Sequence, residues 1–274
     1  MLEALQIDGH VMMMSIGLVG GGLEGGLKKV SRHEATTFRG LCSDHDRQLF
    51  ERLDLGALDA NDAEVRALLS WRAITYELHQ TIEAAGRIQS AYLKKVKSGE
   101  LDGDVPSPAG IEATSWMVTA YETFRYRSDH WDVSLSNPSG AAVEYLVYGL
   151  SDVPPILAAS RLFSFQPKKN STACRIALNI WPDDAGHTIV LFGFCKVDGG
   201  RAKRFIRTLL DSEGDLHPAK LSAALLQHLG NFVLNPSHVE NWSDEKRQFL
   251  ERAFLSTVID KRRVVASKMI NLFL

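Results

Sequence analysis

From Trp71 onward apolar residues recur every three or four positions, through Ile74, Leu78, Ile82, Ala85, Ile88, Tyr92 and Val96. That spacing lines one face of a single long helix, from a cap at Asn61 or Asp62 to about Lys97. A polar break follows over 99–106. Ser107 then stands where a cap belongs and Pro108 at the first helical position, the preferred order for a start, so a second helix is expected to reach about Arg127. The centre of the chain changes period. Four short apolar or alternating runs, 141–150, 157–165, 172–180 and 188–196, are separated by Pro, Gly, Asn and Asp. They predict an antiparallel sheet with a hairpin connection over 179–187. Helices are expected again at about 200–211, 217–229 and 243–256, with a last one over 257–270. Helices, then strands, then helices is an α+β order. The expected fold is a long helical hairpin and C-terminal helices around a roughly four-stranded antiparallel sheet.

The first 54 residues read differently, as a small region rich in glycine and loops. They suggest a division into 1–60 and an α+β domain over 61–274, with a weak boundary that also suits a single domain. The opening, Met1 to His10, lacks the basic and apolar regions of a signal peptide. It runs without a cap into the apolar strand 11–16 and reads like the middle of a domain, so the expectation is that Met1 is not the true domain start or that the protein has lost its first element.

With 274 residues the chain can bury a large core. A formal charge of −2 argues against strong nonspecific binding of nucleic acid and leaves local basic patches as the route to it. Three cysteines do not make a disulfide framework, and a reducing cytoplasm is the expected compartment. No segment approaches the ~18–20 apolar residues of a membrane span.

Candidate chemistry concentrates in Phe38-Arg39-Gly40-Leu41-Cys42-Ser43-Asp44-His45-Asp46. Cys42 and His45, three residues apart at a tight turn, have the spacing of one arm of a tetrahedral zinc site. The alternative is that Cys42 is a small buried apolar residue and His45 caps a helix starting near Asp44. His10 and His33 are further candidates for the remaining ligands. Zinc is the cofactor this pair calls for.

The stretch from Ala35 to Phe50 resembles a segment of a loosely defined group of uncharacterised bacterial proteins. Those carry F-x-G-F-C-x-x-H-D-x-x-L-F after an N-terminal C-x-x-C and an S-H-x-I run, which together look like a treble-clef zinc site of the HNH type. Cys42 and His45 match the second ligand pair, and Leu41 stands where the motif has Phe. Gly9-His10-Val11 resembles the strand between the two pairs, and Asn235-Pro236 with Asn241-Trp242 a later stretch. The first Cys pair and the S-H-x-I run are missing from this chain. The resemblance therefore implies ligands lying upstream of an internal start, or a zinc site that has decayed. It implies a structural role for Cys42 and His45, and a binding or regulatory module with a protein partner, in a bacterial defence or stress locus. The rival it implies is an HNH-related, metal-dependent nuclease. A small-ligand sensor using the sheet is a third reading.

Other motifs are weaker. Gly20-Gly21-Gly22-Leu23-Glu24-Gly25 satisfies G-x-G-x-x-G, but 27–33 is short, basic and soon β-branched, where a dinucleotide site needs a helix. A flexible loop, with the length of a mobile flap, is expected. Pro182-Asp183 before a strand ending in Cys195-Lys196 has the outline of a restriction-type nuclease core, yet position 194 holds Phe where the second acid belongs. Asp183, Asp184 and His187 therefore read as a polar turn. The best anion-binding candidate is Gly199-Gly200 followed by Arg201, Lys203, Arg204 and Arg207, a helix start with free N–H groups and nearby cations. Lys261, Arg262 and Arg263 form a second basic cluster. His79, His130, His217, His228 and His238 have no partner at ligand spacing.

Overall fold

A computed structural model of the chain describes residues 2–19, 22–35, 40–55, 58–138, 142–150, 153–166, 172–183, 185–229 and 231–274. In chain order the elements are β1 (His10–Val19), β2 (Gly22–Ser31), α1 (Ser43–Leu55), α2 (Ala63–Lys97), α3 (Pro108–Tyr126), a π-helical turn (Arg127–Trp131), α4 (Asp132–Ser136) and β3 (Val143–Leu150). Then come β4 (Leu157–Phe165), β5 (Cys174–Pro182), β6 (Thr188–Cys195), α5 (Gly199–Leu209), α6 (Pro218–His228), β7 (Phe232–Leu234), α7 (Pro236–Glu240) and α8 (Asp244–Ile259). The class is α+β.

The sheet is larger than the central runs suggest. Among the described residues seven strands lie in the order β2-β1-β7-β4-β5-β6-β3, every neighbouring pair antiparallel. The expected four strands are β3 to β6. The apolar strand expected over 11–16 lies within β1; the other two escape the pattern because β7 has only three residues and β2 carries Gly22, Gly25 and Gly26. The β1–β2 ribbon corrects the expected flexible loop, since Ile16 pairs with Gly25 and Ser15 with Gly26; Gly20 and Gly21 lie outside the described residues. Glycine is needed for packing here. A Cβ on Gly25 would stand 2.6 Å from Leu255 Cγ of α8, and the Leu27 N–H donates to Glu251 Oε1 of the same helix at 3.1 Å.

Strand alternation sorts two cores. Ile176, Leu178, Ile180, Val190, Phe192 and Phe194 face α5, α6 and α8. Ala177, Trp181, Leu191 and Cys195 face α1, α2 and the π turn. With helices on both faces, β5 and β6 are buried nearly throughout, so they read as continuous apolar runs. Phe194, where a nuclease core would need its second acid, is fully buried. The expected hairpin turn is present: the His187 N–H donates to Asp183 Oδ1 at 2.7 Å, while Asp184 lies outside the described residues.

β7 covers β4 only at Leu157, Ala158 and Ala159. Just past that cover Arg161 ties the layers together, donating to Glu77 Oε2 of α2 at 2.9 Å and to the Leu229 carbonyl beyond α6 at 2.9 Å. Burial pushes the Glu77 carboxyl up, and the Arg161 charge opposes that shift.

The helix expected over 257–270 is not formed. α8 ends at Ile259, Lys261 takes a left-handed φ of 55°, and the tail runs irregularly to Leu274. Ile270 and Leu272 are both buried, and a helix would place them about 200° apart, on opposite sides. The tail is held by Val264 N–H to Gln227 Oε1 at 2.8 Å and Leu272 N–H to Ser222 Oγ at 2.9 Å. No helix of the described residues is long and apolar enough to cross a membrane.

Candidate functional site

The long helix starts as its cap dictates: the Asp62 carboxylate accepts from the N–H groups of Glu64 and Val65. Its buried residues run from Val65 to Ala85, on the sheet; none lies beyond Ala85. The last dozen residues therefore project about 18 Å past the core at 1.5 Å each. α3, capped by Ser107 Oγ on the Gly110 N–H at 3.1 Å, returns along it. Ala120, Thr123 and Tyr126 are the buried residues of α3, all on the side turned toward the body.

The other side of α3 is apolar as well. Ile111, Met117, Val118 and Tyr121 each leave more than half of their surface exposed, and Phe124 leaves 44%. At about 100° per residue these five and Thr114 fall within an arc of about 140°. The two acids of the helix, Glu112 and Glu122, lie outside that arc, and Glu122 is drawn to Arg175 at 2.9 Å; Arg125 falls inside it, at its C-terminal end, paired with Asp129 at 3.0 Å. The feature was legible in the sequence, because a helix with apolar residues all round is buried or partnered, but the expectation for this segment stopped at its boundaries. Exposed apolar side chains clustered on one helix face are the kind of surface that a partner covers.

The chain matches no protein-family model, no curated protein and no solved structure. What it does rests on its own geometry.

Cys42 and His45 do come together. Cys42 leads into α1, its carbonyl accepting from the Asp46 N–H at 2.9 Å, and one helical turn brings His45 Nδ1 to 3.2 Å from Cys42 Sγ. Both are exposed. Among the described residues no group of three or more His, Cys, Asp and Glu side chains gathers at metal-binding distance. Of the motif around the pair, Phe38 and Arg39 lie outside the described residues. His10 Nδ1 instead contacts the Asp8 carbonyl at 2.7 Å, and the His33 N–H the Ser31 hydroxyl at 3.3 Å. The thiol and imidazole are thus adjacent, with no third candidate ligand beside them among the described residues.

The basic residues of α5 divide. Arg201 pairs with Asp198 and donates to the Thr172 carbonyl at 2.6 Å. Lys203 meets Glu144 at 2.6 Å. A Cβ on Gly199 would lie 3.7 Å from the Glu144 carboxylate, so the helix start already has negative charge beside it. Arg204 and Arg207 are exposed and make no ion pair among the described residues.

Proposed function

We propose that this chain is a binding module that works as a pair, with the outer stripe of α3 packed against the same stripe of a second copy. The exposed apolar arc of α3 carries this reading. The five exposed side chains leave on the order of 600 Å² to solvent on one copy, so a pair removes at most about 1,200 Å² from water through them, which meets the lower bound of a specific interface once flanking residues add to it. The pattern is also self-complementary about a dyad at Met117 and Val118. Antiparallel helices place Ile111 opposite Phe124 and small Thr114 opposite large Tyr121, with no charge in between. Each copy then keeps the outer surfaces of its remaining helices free for a regulatory partner.

The test is sedimentation equilibrium of the chain beside Val118→Asp, which sets two carboxylates against each other at the dyad and touches no buried contact. A dimer that becomes monomeric in the variant supports the reading. A monomeric parent chain at tens of micromolar overturns it and leaves the stripe to a different protein.

A second reading, zinc at Cys42 and His45 and with it an HNH-type nuclease, is favoured by one observation, the 3.2 Å approach of thiol and imidazole. One zinc per chain by elemental analysis, lost in Cys42→Ser, supports a metal site. No zinc in either protein removes both the site and the nuclease.

A further inference from the structure

The irregular tail after α8 crosses two cavities. One, of about 590 Å³, lies between the tail and α8; Phe249, Ala253 and Ile270 form its apolar wall, and Arg252 and Arg262 stand at its rim. The other, of about 410 Å³, lies between the tail, α5 and α6, with Phe205, Ala224 and His228 as wall and Lys220 at its side. The two share Arg263, Val264 and Val265, so a single strap of chain separates them. Among the described residues no carboxylate lines either one, in a protein whose acids outnumber its bases.

The cations there are unevenly committed. Arg262 pairs with Asp260 at 3.3 Å, and Lys220 donates to the Leu210 carbonyl at 2.6 Å. Arg252 gives only its Nε, to the Gln248 carbonyl at 3.2 Å. Arg263, exposed and common to both cavities, makes no ion pair among the described residues. The inner wall is aromatic: Phe205 and His228 meet edge to face at 5.7 Å, backed by Phe163, on which His228 stacks at 5.1 Å, and by Phe165, 4.7 Å from Phe205. Burial lowers the His228 pKa, so the ring adds an uncharged face.

We infer that the paired cavities bind an amphipathic anion, a small molecule with an apolar body and a carboxylate, sulfonate or phosphate head, its body on the Phe205–His228 or Phe249–Ile270 wall and its head on Arg263. Volumes of this size suit a small ligand, and the absence of carboxylates selects the sign of its charge. This reading is independent of pairing through α3.

The probe is 1-anilinonaphthalene-8-sulfonate, titrated by fluorescence against the full chain. Saturable binding is expected, weakened at least tenfold in Arg263→Glu, retained in Arg263→Lys and unchanged in Val118→Asp. N-phenyl-1-naphthylamine, the same body without the sulfonate, should bind at least tenfold more weakly. Displacement by dodecanoate would identify an alkyl acid as an acceptable source of the head group, and failure to displace would restrict the site to aromatic anions. Equal affinity in Arg263→Glu, or loss of binding in Val118→Asp, overturns the inference, the latter by placing the probe on α3.

Discussion

Gly193 offers a sharp test of how the α2 face of the sheet is packed. It lies on β6 facing α2, and a Cβ there would stand 2.7 Å from Ser70 Oγ and 2.9 Å from Trp131 Cη2, with Tyr145 Cε1 at 3.3 Å. Comfortable carbon contacts are about 3.5–4.0 Å, and Ser70 and Trp131 are both fully buried. Gly193→Ala therefore forces a side chain off its position, a strain of about 1–3 kcal/mol. Replacing a strand glycine returns about 0.5–1 kcal/mol of chain entropy, so the net loss is about 1–2 kcal/mol. The closest atom, the Ser70 hydroxyl, has no hydrogen-bond partner among the described residues. Ser70→Ala thus removes the first clash without breaking a bond and should itself be neutral or slightly stabilising. The double variant keeps the Trp131 and Tyr145 contacts and should recover about half of the loss, a coupling on the order of 1 kcal/mol. Urea unfolding followed by tryptophan fluorescence reads this as a shift of midpoint at constant slope. A Gly193→Ala midpoint equal to the parent's, or single effects that simply add, would refute the packing argument.

Cys42 is exposed, while Cys174 and Cys195 are buried with thiols pushed up to about 12 by burial. A disulfide reagent should accordingly find one fast thiol in the native protein and three after denaturation; a second fast thiol would contradict the fold around β5 or β6. Burial, reinforced by Lys268, holds Lys246 down to about 8 against 10.5. Between those values the unfolded chain binds the extra proton, so stability should rise with pH across that window. Lys246→Met should flatten the rise, and an equal slope in the variant would show that other groups cause it. The Arg161–Glu77 pair lies between surface and core, with side chains 27% and 18% exposed. Its value falls between the ~0–1 kcal/mol of surface pairs and the ~3–5 kcal/mol lost on breaking buried ones, so Arg161→Met should cost about 2 kcal/mol. Glu77 then ionises without its partner, and its folded pKa rises further. The penalty should shrink as pH falls through the raised Glu77 pKa, and a penalty independent of pH would count against Glu77 as its source.

Much of this architecture is written in local patterns. The stripe from Trp71 to Val96, Asp62 as cap and the Ser107-Pro108 start locate α2 and α3 because those signals act within one or two turns. The four central strands follow from apolar runs broken by turn residues. What escaped depends on distant partners. β7 is too short to carry a period, and its pairing with β1 and β4 joins residues far apart in the chain. The ribbon glycines look like a loop until Leu255 and Glu251 of α8 are seen against them. The tail has a composition that suits a helix, and it leaves that form because Ile270, Leu272 and Phe273 all reach the core. For the candidate sites, spacing alone placed Cys42 beside His45. It was silent on Asp198 and Glu144, which come to the start of α5 from the preceding turn and from a different strand.

The position of β7 also fixes an order of events during synthesis. β1 pairs with β2 locally, but its other neighbour is made more than two hundred residues later. At about 5–20 residues per second a ribosome leaves that interval at roughly 10–40 s. Throughout it the inner edge of β1, with Met12 and Met13 awaiting Leu234 and Val233, is an open strand edge able to pair with another chain. The ribbon must therefore be sheltered or kept apart from other nascent chains until the last short strand arrives.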